Sequence, residues 1–170
     1  MSVQLKPVIV PLLPMREEIV FPGATVPFFV GRQASIDALE RALAGDRAIF
    51  VVTQRDSSVE NPDENDLYKF GVLGRVLQVM RLPNGTVKAL FEGSRRGKLL
   101  ATKLDEKEYL AQVQPVDENA FDIDLEKLKK QAEMVRELFK NHVDQRKIKL
   151  SKEILDSLDQ VDFLQVSDKV

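Results

Sequence analysis

The stretch Val8-Ile9-Val10-Pro11-Leu12-Leu13-Pro14-Met15-Arg16-Glu17-Glu18-Ile19-Val20-Phe21-Pro22-Gly23-Ala24-Thr25-Val26-Pro27-Phe28-Phe29-Val30-Gly31-Arg32 decides how the chain is read. Its first apolar run, Val8–Leu13, is too short and too proline-interrupted to span a membrane, and it reads as a buried strand. A charged corner, Arg16-Glu17-Glu18, separates it from a second burst, Ile19-Val20-Phe21, that stops at Pro22-Gly23. Such a Pro-Gly pair predicts a turn, because proline presets one φ and glycine accepts the conformation other residues avoid. A third run, Val26–Val30, ends at Gly31-Arg32, where a helical period begins. Prolines inside the first and third runs predict strands at sheet edges or bulges, since proline cannot donate to a ladder. In an extended third run Val26, Phe28 and Val30 face one way, and Pro27 and Phe29 the other. Both sides are apolar, so the strand is either covered on both faces, with the following helix on one, or leaves one face as a binding patch.

Outward from this stretch, Ile36, Leu39 and Leu43 fall at helical spacing over Gln33–Leu43, with Gly45 placed to end the helix. Ala48–Thr53 reads as a buried strand, and the polar segment Gln54–Asp66 as a long, less ordered loop. Gly71–Leu82 is strand-like, with Gly74 predicting a bulge or tight bend. Asn84-Gly85 predicts a type I′ hairpin into Thr86–Phe91. The run Gly93-Ser94-Arg95-Arg96-Gly97-Lys98-Leu99 predicts a basic turn, after which Lys98–Leu104 and Tyr109–Val113 pair across the charged turn Asp105–Glu108. Beyond Pro115 the pattern changes. Leu125, Leu128, Ala132, Val135, Leu138, Phe139 and then His142 recur at spacings of three and four, the seam of one long amphipathic helix that starts in the acidic segment Asp122–Glu126. Ser151 can cap a second helix, and a third begins near Asp162. The expected class is α+β: a β-rich, pseudo-barrel-like lobe with one helix over residues 1–117, followed by an α-helical lobe over 118–170 that is incomplete at its carboxyl end.

Chemistry is sparse. The 170 residues have a net charge of −2, spread evenly, so neither lobe is a cationic platform for nucleic acid. There is no cysteine, hence no disulfide or thiolate metal site, which fits a reducing, cytoplasmic setting. The prolines and the acidic pair after the first run argue against a signal peptide. Gly93–Leu99 is only a partial phosphate loop: three residues separate the glycines instead of four, and Leu99 has no hydroxyl for a metal. His142 is the single histidine and reads as partly buried or at a boundary, with no second ligand beside it. Ser35, Ser57, Ser58 and Ser94 carry no nucleophile motif. No catalytic, metal or cofactor-binding residue is predicted. The candidate substrate-binding residues are Phe21, Pro22, Pro27 and Phe29.

The order Pro11-Leu12-Leu13-Pro14-Met15-Arg16, Val20-Phe21-Pro22-Gly23 and Val26–Arg32, continued by Ser35-Ile36 and Ala38-Leu39, resembles the amino-terminal domain of the Lon family of ATP-dependent proteases. So do Asp66-Leu67-Tyr68, Phe70-Gly71-Val72, Leu82–Lys88 and Glu92–Arg96, and the resemblance covers nearly the whole chain in order. It implies a β-rich lobe followed by a helical one. It further implies a non-catalytic domain that recognises unfolded or damaged proteins and supports assembly of a homohexameric ATP-dependent serine endopeptidase. ATP and magnesium would belong to an ATPase module outside these residues, and no nucleic-acid or membrane partner is implied. The alternative is a stand-alone ligand-binding or RNA-binding module with a similar barrel. Balanced charge and the lack of interleaved basic and aromatic residues weigh against RNA.

Overall fold

A computed structural model describes residues 5–104, 109–117, 125–146, 149 and 151. Contacts divide the chain into two compact units, Met1–Ala120 and Phe121–Val170. In the first, strands β1 (Val8–Met15) and β2 (Thr25–Val30) precede helix α1 (Gln33–Ala44). Strands β3 (Ala48–Thr53), β4 (Phe70–Arg81), β5 (Val87–Leu104) and β6 (Tyr109–Pro115) follow, with one short 3-10 turn at Glu64–Asp66. The pairings β1–β3, β3–β4, β4–β5, β5–β6 and β6–β1 close a five-membered ring, and β2 is added to the first part of β5.

Closure changes the meaning of the prolines. The expectation that both proline-bearing runs lie at edges or bulges holds for β2, an edge strand that pairs with β5 alone among the described strands. It fails for β1, which sits inside the ring. Val8–Pro11 pair antiparallel with β6, whereas Leu12–Met15 pair parallel with β3. Neither Pro11 nor Pro14 therefore lies between two partners, and the donor each lacks is not demanded by the ladder.

The basic turn expected at Gly93–Gly97 does not exist. Residues 93–97 continue β5, an 18-residue strand that serves β2 and β4 with its first part and β4 and β6 with its second. The glycines are there for space. A Cβ on Gly97 would stand 2.4 Å from Val113 Cγ1 and 3.1 Å from the Phe50 ring. Here the sheet folds onto its own core too tightly for any side chain. The bulge predicted at Gly74 is present as a register shift between Leu73 and Gly74.

The hairpin is corrected in type. Gly85 N–H donates to the Leu82 carbonyl at 3.0 Å, and Gly85 alone in the turn has positive φ, at 84°. Pro83 and Asn84 thus form a type I turn and Gly85 the left-handed bulge after it, a three-residue loop that Pro83 favours by fixing its own φ.

Two apolar clusters fill the lobe. One joins Leu13, Phe28, Val30, Ile36, Leu39, Ile49, Val51 and Phe91; the other joins Leu12, Ala38, Phe50, Val52, Leu73, Leu99 and Val113. Alternate residues of β3 enter each cluster, so that strand is buried on both faces. Helix α1 ends where expected, at Gly45, and packs on β1, β3, β4 and β6. Segment Gln54–Asp66 is the expected loop, anchored at both ends: Asp63 and Asp66 form a reciprocal capping box, and Gln54 bridges to Leu67.

In the second unit, α2 spans Leu125–Gln145. Ala132 and Val143 are buried and Leu128 and Phe139 half-buried, while Val135 and Leu138 are exposed. The seam thus runs Leu128, Ala132, Arg136, Phe139, Val143, one step round the helix from the predicted one. His142 faces solvent instead of lying at a buried boundary. The charged turn at 105–108, the acidic helix start at 122–124 and the two helices predicted after Ser151 lie outside the described residues.

Candidate functional site

Strand β2 is not covered on both faces: its inner residues Val26, Phe28 and Val30 face the core, and Thr25, Pro27 and Phe29 face solvent. Phe28 stacks on Phe91 with centroids 5.6 Å apart, which pins the strand to β5 from inside. The other side is left uncovered, with Thr25, Pro27 and Phe29 all exposed. Phe29 is 62% exposed, its ring met by the Lys88 ammonium at 5.7 Å.

The register extends this face across the sheet. Phe29 lies beside Lys88 and Lys88 beside Met80, while Pro27 lies beside Leu90. Pro27, Phe29, Leu90 and Met80 therefore form an apolar surface over β2, β5 and β4 with Lys88 among them, and Met80 is itself exposed. Phe21 and Pro22 belong to the other end of this edge. Gly23 N–H donates to the Gly93 carbonyl and Gly93 N–H to the Ala24 carbonyl, both at 2.9 Å, which clasps that turn against β5. Extended chain from Thr25 to Phe29 is about 13 Å long, so the four candidate residues bracket the edge without converging.

Sequence reasoning missed a second apolar surface. Ile19, Tyr68 and Phe70, all exposed, line a hollow of about 450 Å³ with Thr53, Arg55 and Lys69. The Arg55 guanidinium lies 4.9 Å from the Tyr68 ring centre. The signal was the unexplained burst Ile19–Phe21, joined in space to Tyr68 and Phe70 by the Thr53 hydroxyl, which donates to the Glu18 carbonyl at 2.7 Å.

A third region is polar. Arg16, Arg32, Gln33, Asn61, Leu104 and Tyr109 line a cleft of about 790 Å³ beside the start of α1. Arg32 donates to Gln54 Oε1 and, at 3.4 Å, to the Val59 carbonyl. Burial, and then the Arg16 charge, lower the pKa of its guanidinium, with Tyr109 and Glu60 opposing. Among the described residues no group of three or more acidic or histidine side chains is placed to hold a metal ion, and no helix is long and apolar enough to cross a membrane.

The fold is that of solved Lon amino-terminal domains. The structure superposes on the amino-terminal domain of Mycobacterium avium complex Lon protease with a TM-score of 0.73, at 23% identity, over 95% of this chain and 80% of that one. A Lon N-terminal domain protein from Xanthomonas campestris gives 0.56 at 14% identity. Sequence carries the assignment further: residues 9–165 match the model of the ATP-dependent protease La (LON) substrate-binding domain, and the chain belongs to that family. It is 33% identical over 153 residues to Lon protease 1 of Syntrophobacter fumaroxidans, and 36% over 152 residues to Lon protease of Haemophilus influenzae. Each match covers 89% of this chain but only 18% and 19% of those proteins, so the chain spans about a fifth of their length.

Proposed function

We propose that this chain is the substrate-receiving, non-catalytic domain of a cytoplasmic Lon-type ATP-dependent protease, and that it holds apolar segments of unfolded polypeptide against the outer face of β2. Supporting assembly of a homohexamer is the second role, with ATP, magnesium and the peptide-cleaving groups supplied by other modules. The observation that carries the binding role is Phe29, an aromatic ring left 62% exposed on an edge strand whose other side is fully engaged. Exposed apolar side chains are what misfolded proteins have in common, and Pro27, Leu90 and Met80 continue the surface that would receive them. Proline stiffens this edge before contact, which lowers the ordering cost of binding. Affinity at one domain is expected to be micromolar or weaker, about 8 kcal/mol or less, and repetition around a ring would raise it.

The test is binding of an unfolded model protein to the wild type and to Phe29→Ser, with near-ultraviolet dichroism and a melt as controls. The variant is expected to melt as the wild type does and to lose most binding. Unchanged binding by a folded variant places recognition elsewhere, with the Ile19, Tyr68, Phe70 hollow the next surface to test.

A further inference from the structure

The hollow at the start of β4 joins exposed apolar side chains to positive charge. Ile19, Tyr68 and Phe70 are 69%, 47% and 59% exposed, and Arg55 and Lys69 line the hollow with them. The apolar residues come from two segments that backbone groups clamp in place. The Thr53 hydroxyl holds the Glu18 carbonyl, Tyr68 N–H donates to the Thr53 carbonyl at 3.1 Å, and Leu99 N–H donates to the Lys69 carbonyl at 2.8 Å. Leu67, fully buried, already takes the inward position of its segment. Tyr68 and Phe70 are therefore held outward by the fold, and with Ile19 they make a continuous apolar surface.

The charge beside that surface is positive and has donors to spare. Arg55 Nε donates to the Leu67 carbonyl at 3.1 Å, and the guanidinium lies 4.9 Å from the Tyr68 ring centre. Its other N–H groups have no acceptor among the described residues. A guanidinium held over a ring in this way keeps its outer edge open to a carboxylate. Lys69 pairs with Glu64 at 3.2 Å, but that carboxylate also accepts from Thr102, and the ammonium retains further donors. Exposed Lys98 shares a face with Phe70, its partner across the β4–β5 ladder. None of the residues lining the hollow is acidic. Glu18, next to Ile19 in the chain, lies outside that lining, and its carboxylate accepts from Glu17 N–H at 3.4 Å.

We propose that this hollow is a second polypeptide site, separate from the β2 face, and that it takes a segment in which a large apolar side chain is flanked by aspartate or glutamate. Charge complementarity selects the occupant. The apolar side chain covers Ile19, Tyr68 and Phe70, while the flanking carboxylates reach Arg55 and the two lysines. A neutral apolar segment leaves those cations without partners, and a basic one meets repulsion from them. Phe70 and Met80 stand near opposite ends of β4, so the hollow shares no residue with the Phe29 surface and does not depend on that reading.

The test uses the 170-residue chain and fluorescence anisotropy with three versions of one short, unstructured, labelled peptide. Each has a central phenylalanine and leucine, flanked by glutamates, by glutamines or by lysines. Wild type and Phe29→Ser are both expected to prefer the glutamate peptide about tenfold over the glutamine one, since charge-assisted hydrogen bonds are strong, and to bind the lysine one weakest. Ile19→Ser should weaken the glutamate peptide severalfold, and Arg55→Gln should bring the glutamate and glutamine peptides to within about twofold of each other. Should Arg55→Gln fail to fold for want of its bond to Leu67, Ile19→Ser, at an exposed position, carries the comparison. Equal binding of the glutamate and glutamine peptides by the wild type overturns the proposal and leaves the β2 face standing. A glutamate preference lost in Phe29→Ser but kept in Ile19→Ser and Arg55→Gln also overturns it, because the acidic segment then lies at Lys88 beside Phe29. Failure of all three peptides to bind removes both readings.

Discussion

Strands β1 and β2 come from one continuous stretch, both carry prolines, and both are rich in valine and large apolar residues, yet the molecule uses them oppositely. In β1 the run Leu12–Met15 is buried on both faces, and the strand joins β6 to β3 within the closed ring. In β2 the burial alternates, and its outer row of Thr25, Pro27 and Phe29 is bare. Hydrophobicity does not separate them. Position does: β1 changes partner halfway along, which accommodates its prolines, while β2 has one partner and a free edge where Pro27 costs nothing. The same apolar composition serves as core in a ring strand and as exposed surface in an added one.

The largest expected effect comes from truncating matched apolar residues on the two strands. Leu12 is fully buried in the cluster of Phe50, Leu73 and Val113, so Leu12→Ala should destabilise the lobe by about 2–5 kcal/mol. Phe29→Ala should change stability by no more than about 0.5 kcal/mol, as for an exposed site. Urea unfolding of both variants measures this. Comparable losses would show that Phe29 is core in solution and would dissolve the contrast between the strands.

A smaller effect tests what ties the two strands together. Gln54, 2% exposed, donates its backbone N–H to the Met15 carbonyl at the end of β1, while its side-chain oxygen accepts from Arg32 just beyond β2. Its side-chain nitrogen donates to the Val59 carbonyl at 2.9 Å. Gln54→Ala keeps the first link and cuts the others, leaving buried groups unmet, for an expected loss of about 1–3 kcal/mol. Hydrogen exchange should show the 54–66 segment opening more readily while β3 keeps its protection. A variant as stable as wild type would mean that water replaces Gln54.

Much of this architecture could be read from the chain because local chemistry and the global fold agree there. The period over Gln33–Leu43, the bulge at Gly74 and the alternation of Val87, Ala89 and Phe91 are each visible within a dozen residues and are all present. What stayed hidden depends on neighbours distant in sequence. Gly93 and Gly97 read as turn punctuation because the residues that crowd Gly97, Val113 and Phe50, lie outside any local window. Ring closure hid the place of β1 for the same reason. The candidate face was legible as an apolar strand side, but Leu90 and Met80 joined it only through register. The polar cleft beside the start of α1 was not legible at all, because Arg16 and Arg32 each look like ordinary punctuation after a strand.

The smallest effect, from Pro27→Ala, decides how the bare strand meets a partner. Pro27 pairs with Leu90, and since proline has no N–H the ladder to β5 cannot require one at that position. The missing donor therefore belongs to the free edge, where it blocks another strand from pairing. Pro27→Ala restores that donor and releases the constraint on the unfolded chain, which should cost about 0.4–1 kcal/mol of stability. If polypeptides dock on the face through Phe29, Met80 and Leu90, their affinity should change little or fall slightly, because one apolar ring is lost. If they add a strand to the edge, the new donor should strengthen binding and promote self-association, visible as a concentration-dependent sedimentation coefficient. The face reading expects a monomer of nearly wild-type affinity, and tighter binding together with self-association would replace it with edge pairing.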